Sequence, residues 1–222
     1  NPQSNTEVGA RLWQLDQTIN RRGFKVDLDL ATSALAMIDR VKVIHDDYIE
    51  ETTFGEVQTA GQRDALLKHL LDYYGVTLPD MQKGTLERRM DDPDLPGVVK
   101  ELLSVRLDAA MASTSKYKAL LRSVSSDGRL RGTLQFCGAV RSARWAGRLW
   151  QPHNLIRPTD DEAAAVDGWI EAIKSGIGEL VLRNPSRAAA VALRGSIVAD
   201  EGRKLVAADM SNIEGRMLAW LA

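Results

Sequence analysis

The sequence contains one cysteine, Cys137, three histidines and few aromatic residues, 5% of 222. A lone cysteine excludes an internal disulfide and a cysteine-based zinc site, and such usage suits a reducing, cytoplasmic compartment. No stretch approaches the ~20 consecutive apolar residues of a membrane helix. The first residues, Asn-Pro-Gln-Ser, form no basic-then-apolar signal segment, so no membrane partner is expected. They also lack an initiator Met, which reads as a start inside a longer protein. Internal repeats and low-complexity tracts are absent. Charge of one sign is lacking as well. Lys and Arg total 29 against 30 Asp and Glu, a net charge of −1, which taken alone argues against a strongly basic nucleic-acid binder.

What is present is ordinary for a globular chain: 44% hydrophobic and 27% charged residues, in a length that allows one or two domains. The charge, however, is unevenly placed. Residues 1–99 carry 11 basic and 17 acidic side chains, residues 100–157 carry 11 and 3, and residues 158–222 carry 7 and 10. The middle block is therefore +8. A polyanion responds to that local density, because exposed charges more than ~10 Å away are screened at 0.1 M salt. A solvated basic helix face is the plain alternative, but the cations cross several different local patterns.

The predicted class is α+β and helix-rich, with a helical region over 1–126 and a mixed region over 127–222. Asp27 is placed to cap a helix from Leu28 to about Glu50, with Leu30, Ala34, Met37, Ile38, Val41 and Ile44 on its apolar face. A loop over Thr53–Gly61 precedes a helix from Gln62 to Tyr74, bearing Leu66, Leu67, Leu70 and Leu71 and stopped by Gly75. A short helix is predicted at Thr85–Met90, and one long helix from Val98 to about Val124. After the Asp127-Gly128 turn, Arg129–Val140 alternates like a strand. Residues 141–158 have no clean period. Helices follow at Asp160–Lys174 and Ser186–Arg194. Lys204–Ala208 reads as a buried strand and Ser211–Ala222 as a helix. Trp145, Trp150, Trp169 and Trp220 read as packing residues rather than stacking platforms.

The chemistry concentrates in Asp209-Met-Ser-Asn-Ile-Glu-Gly-Arg216. A carboxylate leaving a buried strand is well placed for a divalent ion, and Mg²⁺ takes one or two carboxylates plus phosphate oxygens and water. Two such ions clamp an in-line phosphoryl displacement. The same residues fit a capping box, S-x-x-E, over Ser211–Glu214, and on spacing alone that plainer assignment is favoured.

This segment resembles motif A of family A DNA polymerases, the DNA polymerase I-like group, in its phage-type branch. Gly138-Ala-Val-Arg141-Ser-Ala-Arg144-Trp-Ala-Gly-Arg148-Leu-Trp-Gln-Pro-His153-Asn154 resembles the family's Thr-Gly-Arg…Gln-Asn segment. Leu15–Asp27 resembles the stretch before the thumb. The three occur in the family's order, so the resemblance spans nearly the whole chain. It implies a thumb-like region over 1–126 and a partial palm over 127–222. It also implies template-directed DNA synthesis on primer-template DNA with deoxynucleoside triphosphates and two Mg²⁺ ions, in the cytoplasm of a bacterial or phage-infected cell. Asp209 would be the catalytic metal ligand, with the Met210 carbonyl as a further ligand. Ser211, Asn212, Ile213 and Glu214 would line the nucleotide, Glu214 as the gate against a ribose 2′-hydroxyl. Arg144, Arg148, His153 and Asn154 would meet DNA, joined by Lys116 and Lys118 of the basic block. Ser142-Ala143 replace the usual Thr-Gly, His153 stands where many members have Gln, and Ile156 stands where Pro is common.

A fingers helix of Arg-x-x-x-Lys type, a His-Asp-Glu-like turn with the second catalytic carboxylate, and an exonuclease carboxylate cluster are not found in this sequence. The chain alone is therefore expected to bind DNA without extending a primer. The alternatives are a non-catalytic DNA-binding module and a single-subunit RNA polymerase relative, the latter opposed by Glu214.

Overall fold

Asp27 opens the longest helix of the chain. In the computed structural model, which describes residues 7–111, 113–209 and 211–221, its carboxylate accepts the Leu30 N–H at 2.9 Å. That satisfies one orphan donor of a helix start. The same carboxylate accepts from Lys174 at 3.0 Å. Although burial pushes the Asp27 pKa up, the Leu30 N–H and the Lys174 ammonium hold it below the usual carboxylate value.

The helix-rich α+β class is as expected. In chain order the elements are α1 (Glu7–Arg22), β1 (Phe24–Val26), α2 (Leu28–Thr52), α3 (Arg63–Tyr74), α4 (Lys83–Met90), α5 (Gly97–Ala109) and α6 (Ser113–Ser123). The strands β2 (Arg129–Leu130), β3 (Leu134–Gln135) and β4 (Ala146–Gly147) follow, then a 3₁₀ turn at Pro152–Asn154. The chain continues through α7 (Asp160–Lys174), α8 (Gly178–Val181), α9 (Pro185–Ala192), a 3₁₀ turn at Leu193–Ser196, β5 (Ile197–Val198) and α10 (Ile213–Leu221). Strands β2, β1 and β5 form an antiparallel sheet in that order, with Phe24 opposite Leu130 and Val26 opposite Ile197. Strands β3 and β4 form a separate antiparallel pair. Gly23 makes the turn from α1 to β1 with φ +57°, and a Cβ there would lie 2.2 Å from the Leu130 carbonyl oxygen. Only glycine fits that turn and that approach.

Two apolar clusters share α2. The first joins Leu30, Ala34 and Met37 of α2 to Tyr117, Leu120, Trp150, Ile173 and Ala189. The second joins Ile49 to Leu66, Leu70, Leu86, Val99 and Leu102. At 25 residues, α2 runs roughly 37 Å, long enough to serve both. Leu30, Ala34, Met37, Ile38 and Val41 are buried as the period predicts, while Ile44 and Leu71 are exposed.

Several expectations are corrected. The single helix predicted over 98–124 is two, α5 and α6, with Ala110 ending the first. Neither glycine nor proline marks the break. It arises because α5 buries Val99, Leu102 and Leu103 in the second cluster while α6 buries Tyr117 and Leu120 in the first, which one straight axis does not serve. The alternation over 129–140 yields only β2 and β3, parted at Gly132 with φ +66°. Lys204–Ala208 is not a buried strand. It has no regular structure and is exposed, Val206 by 82%. An apolar run becomes a strand only where a neighbour completes its ladder, and among the described residues none lies beside it. Helix α10 is present, but Trp220 on it is 77% exposed rather than packed. Trp150 is fully buried as expected. Helix α1 goes undelimited in the sequence because its pattern is inverted: Val8, Trp13 and Leu15 face solvent while Asp16 is buried.

Helix α7 matches its predicted bounds and starts with a capping box between Thr159 and Glu162. Glu162 also receives Arg187 through two bonds of 2.6 and 2.8 Å. The Arg187 guanidinium first, then the Thr159 N–H, holds its pKa down at about 2. A carboxyl with a depressed folded pKa stabilises the fold above its unfolded value of about 4.3. That stabilisation is lost as the pH falls toward about 2. The thermal midpoint should therefore drop across this window, and the drop should be shallower in Glu162→Gln. An equal drop in the variant would remove Glu162 as its origin.

Candidate nucleic-acid interface

The basic segment is built against α1. Asn20 and Asp16, one helical turn apart, face the same way. The Asn20 side-chain amide donates to the Leu134 carbonyl at 2.9 Å and accepts the Leu134 N–H at 3.1 Å. The Asn20 backbone carbonyl accepts the Gly132 N–H at 3.3 Å. Asp16 accepts the Phe136 N–H at 2.9 Å. Helix side chains thus take the place of a neighbouring strand along one edge of β3. On its other edge β3 pairs with β4, Leu134 opposite Gly147 and Gln135 opposite Ala146, and the Arg148 N–H reaches the Thr133 carbonyl at 2.7 Å.

Two arginines of the cationic block are spent on this arrangement. Arg129 donates to the Arg22 and Gly23 carbonyls and to Asp200 at 2.6 Å. Arg131 donates to the Arg21 carbonyl and pairs with Asp127 through both terminal nitrogens. Both guanidiniums lie at the C-terminal end of α1, where orphan carbonyls and the helix dipole favour cations. Lys116 is also engaged, donating to the Trp150 carbonyl at 2.7 Å, with burial lowering its pKa.

The turn that carries Arg144 is strained. Of the six non-glycine residues at positive φ among the described residues, four lie between 137 and 151: Cys137, Ala143, Leu149 and Gln151. Ala143 has φ +52°, a left-handed conformation costing a non-glycine residue roughly 1–2 kcal/mol. Strain of this kind concentrates at functional segments. Ala143→Gly should raise stability by about 0.5 kcal/mol, the relief of strain exceeding the entropy glycine adds to the unfolded chain. A lower denaturation midpoint in that variant would contradict the assignment.

The remaining sequence-predicted residues divide into groups. Arg144 and Glu214 are brought together: the guanidinium donates to the Glu214 carboxylate, and both side chains are mostly exposed. Such pairs are worth about 0–1 kcal/mol. Asn154 is exposed on its 3₁₀ turn and donates to the Gln151 side chain at 3.0 Å. His153 is exposed and sits against Gly147, where a Cβ would meet its Nδ1 at 3.0 Å. Arg148 is exposed, its guanidinium 3.3 Å from the Gly147 carbonyl. Lys116 and Asn154 share a groove of about 700 Å³ with Lys83, Arg187, Leu107 and Leu193. Lys118 lines a separate cavity of about 210 Å³ with Arg106 and His45, where burial lowers the His45 pKa despite Asp108 and Asp46 nearby.

Asp209 is exposed at the end of the irregular 203–209 stretch, and Ser211 and Asn212 form a turn, Asn212 with φ +50°, before Ile213 and Glu214 begin α10. Met210 lies outside the described residues. Among the described residues no group of three or more His, Cys, Asp or Glu side chains is gathered as for a metal ion, and no helix is long and apolar enough to cross a membrane. Sequence reasoning missed Asp16, Asn20, Arg129 and Arg131 as the groups that organise this face. The only local signal was two small polar residues four apart on an otherwise unremarkable helix.

No protein-family model and no solved structure matches the chain. A curated relative does: a protein named DNA polymerase from Bacillus phage SP02 is 32% identical over 221 residues, 97% of this chain. The chain spans about a third of that relative's length, 33%. Nearly every residue of this chain is therefore related to one segment of a phage-type DNA polymerase.

Proposed function

We propose that this chain is the thumb and part of the palm of a family A DNA polymerase, and that the complete enzyme extends a DNA primer on a template in the cytoplasm of a bacterial or phage-infected cell. The observation that carries the reading is the relationship to a phage DNA polymerase over 97% of the chain, in a sequence that holds the two motif-like segments 138–154 and 209–216.

In this reading Asp209 is one hard oxygen ligand for Mg²⁺, joined by the Met210 carbonyl. The chemistry fits, because Mg²⁺ accepts a single carboxylate when nucleotide phosphates, water and other protein donors complete its shell. When bound, the ions supply Lewis acidity to the primer hydroxyl and the phosphates. The chain's own residues bind and orient. Arg144 and Arg148 reach the duplex near the primer terminus, with Asn154 and His153 beside them. Lys116 and Lys118 add positive potential along α6. Ser211, Asn212 and Ile213 line the incoming nucleotide, and Glu214 fills the space of a 2′-hydroxyl.

With one carboxylate of the pair, the 222-residue chain binds primer-template DNA without extending it; that binding should weaken with added salt, whereas a flat salt response would count against any DNA role. In a complete polymerase carrying this sequence, Glu214→Ala should relax discrimination against ribonucleotides by about a hundredfold, the scale on which a pocket rejects one extra hydroxyl. Competing incorporation of ribo- and deoxynucleotides opposite one template base measures it. Unchanged discrimination would remove the gate assignment.

A further inference from the structure

We propose that α1 sets the position of the DNA-contacting segment, with Asn20 and Asp16 as positioning residues for Arg144 and Arg148. The proposal rests on the reading that Arg144 meets duplex DNA.

The hydrogen bonds form a continuous path. Asn20 holds Leu134 by both backbone groups, and Asp16 holds Phe136. Strand β3 in turn holds β4, which begins two residues after Arg144 and ends one residue before Arg148. Two paired strands of two residues each are too short to keep a shape unaided, since even longer isolated hairpins are marginal in water. The third partner of this pair is a helix face rather than a strand. Asp16 adds a second signal: it is buried, 7% exposed, and its oxygens are taken by the Phe136 N–H and the Gln17 amide. Burying a carboxylate costs free energy unless hydrogen bonds compensate, so this placement is one the fold maintains against that cost. The turn it supports holds Cys137, Ala143, Leu149 and Gln151 at positive φ, and strained backbone persists only where its surroundings over-determine it.

The test measures primer-template affinity against salt for the chain with Asn20→Ala, Arg144→Ala and both. Each single variant should bind about tenfold more weakly, with a log–log salt slope shallower by about one. The double variant should be no weaker than the weaker single. Losses that multiply in the double variant would reduce Asn20 to a merely structural role. So would wild-type affinity and slope in Asn20→Ala beside a weakened Arg144→Ala, and either outcome overturns the proposal alone. If Arg144→Ala itself binds as wild type, the DNA reading of Arg144 falls, and the proposal with it. Should Asn20→Ala not fold, Asn20→Asp serves in its place. It keeps the acceptor for the Leu134 N–H and loses the donor, so a loss of about threefold, non-additive with Arg144→Ala, supports the proposal. Wild-type affinity in that variant overturns it.

Discussion

Asp209→Ala is expected to lower the rate of nucleotide incorporation by a complete polymerase carrying this sequence by roughly a thousandfold or more. That is the scale of removing an electrostatic group that acts on charge developing in the transition state. The loss should fall on kcat, because in the proposed reading primer-template binding depends on cations elsewhere, on Arg144, Arg148 and the α6 lysines. It should also leave stability almost untouched. Asp209 is exposed in a segment without regular structure, and replacing such a surface residue changes stability by about 0.5 kcal/mol or less. Single-turnover incorporation and thermal unfolding on the same preparation separate the two effects. A rate within tenfold of wild type would end the assignment of Asp209 as a metal ligand, and a rate loss matched by unfolding would attribute it to the fold.

Trp150→Ala is expected to be the most destabilising single change, by about 3–5 kcal/mol. Trp150 is fully buried, its ring 6.0 Å from that of Phe24. Its carbonyl receives the Lys116 ammonium. It also lies in the strained stretch, between Leu149 and Gln151 at positive φ. Truncation would therefore open a cavity in the first apolar cluster and loosen the segment that presents Arg144 and Arg148. Trp150→Phe should cost much less. The indole N–H it removes is buried without a hydrogen-bond partner among the described residues, so the ring loses volume but strands no acceptor. Chemical denaturation of the two variants decides it. Equal losses would mean that the indole nitrogen is satisfied, and a loss below about 1 kcal/mol in Trp150→Ala would place the side chain outside the core.

The same contrast between local and distant causes explains what could be read from the residues alone. Helices α2, α7 and α9 are encoded by short-range rules. Asp27, Thr159 and Asn184 each cap the helix that follows, and the apolar period of α2 buries the residues it names. The cationic block at 100–157 and the order of the motif segments are likewise properties of the string. Three things were decided only by the tertiary structure. The break between α5 and α6 comes from two apolar clusters competing for one stretch. The irregular course of 204–208 reflects the missing strand neighbour among the described residues. The engagement of Lys116, Arg129 and Arg131 inside the fold depends on carbonyls and carboxylates as much as 110 positions away in sequence. A cap or a period acts within four residues, so it is written where it acts. A ladder partner, a shared core or a carbonyl waiting for a guanidinium is supplied by a distant part of the chain, and which side chains remain to meet another molecule is settled only once those distant parts have met.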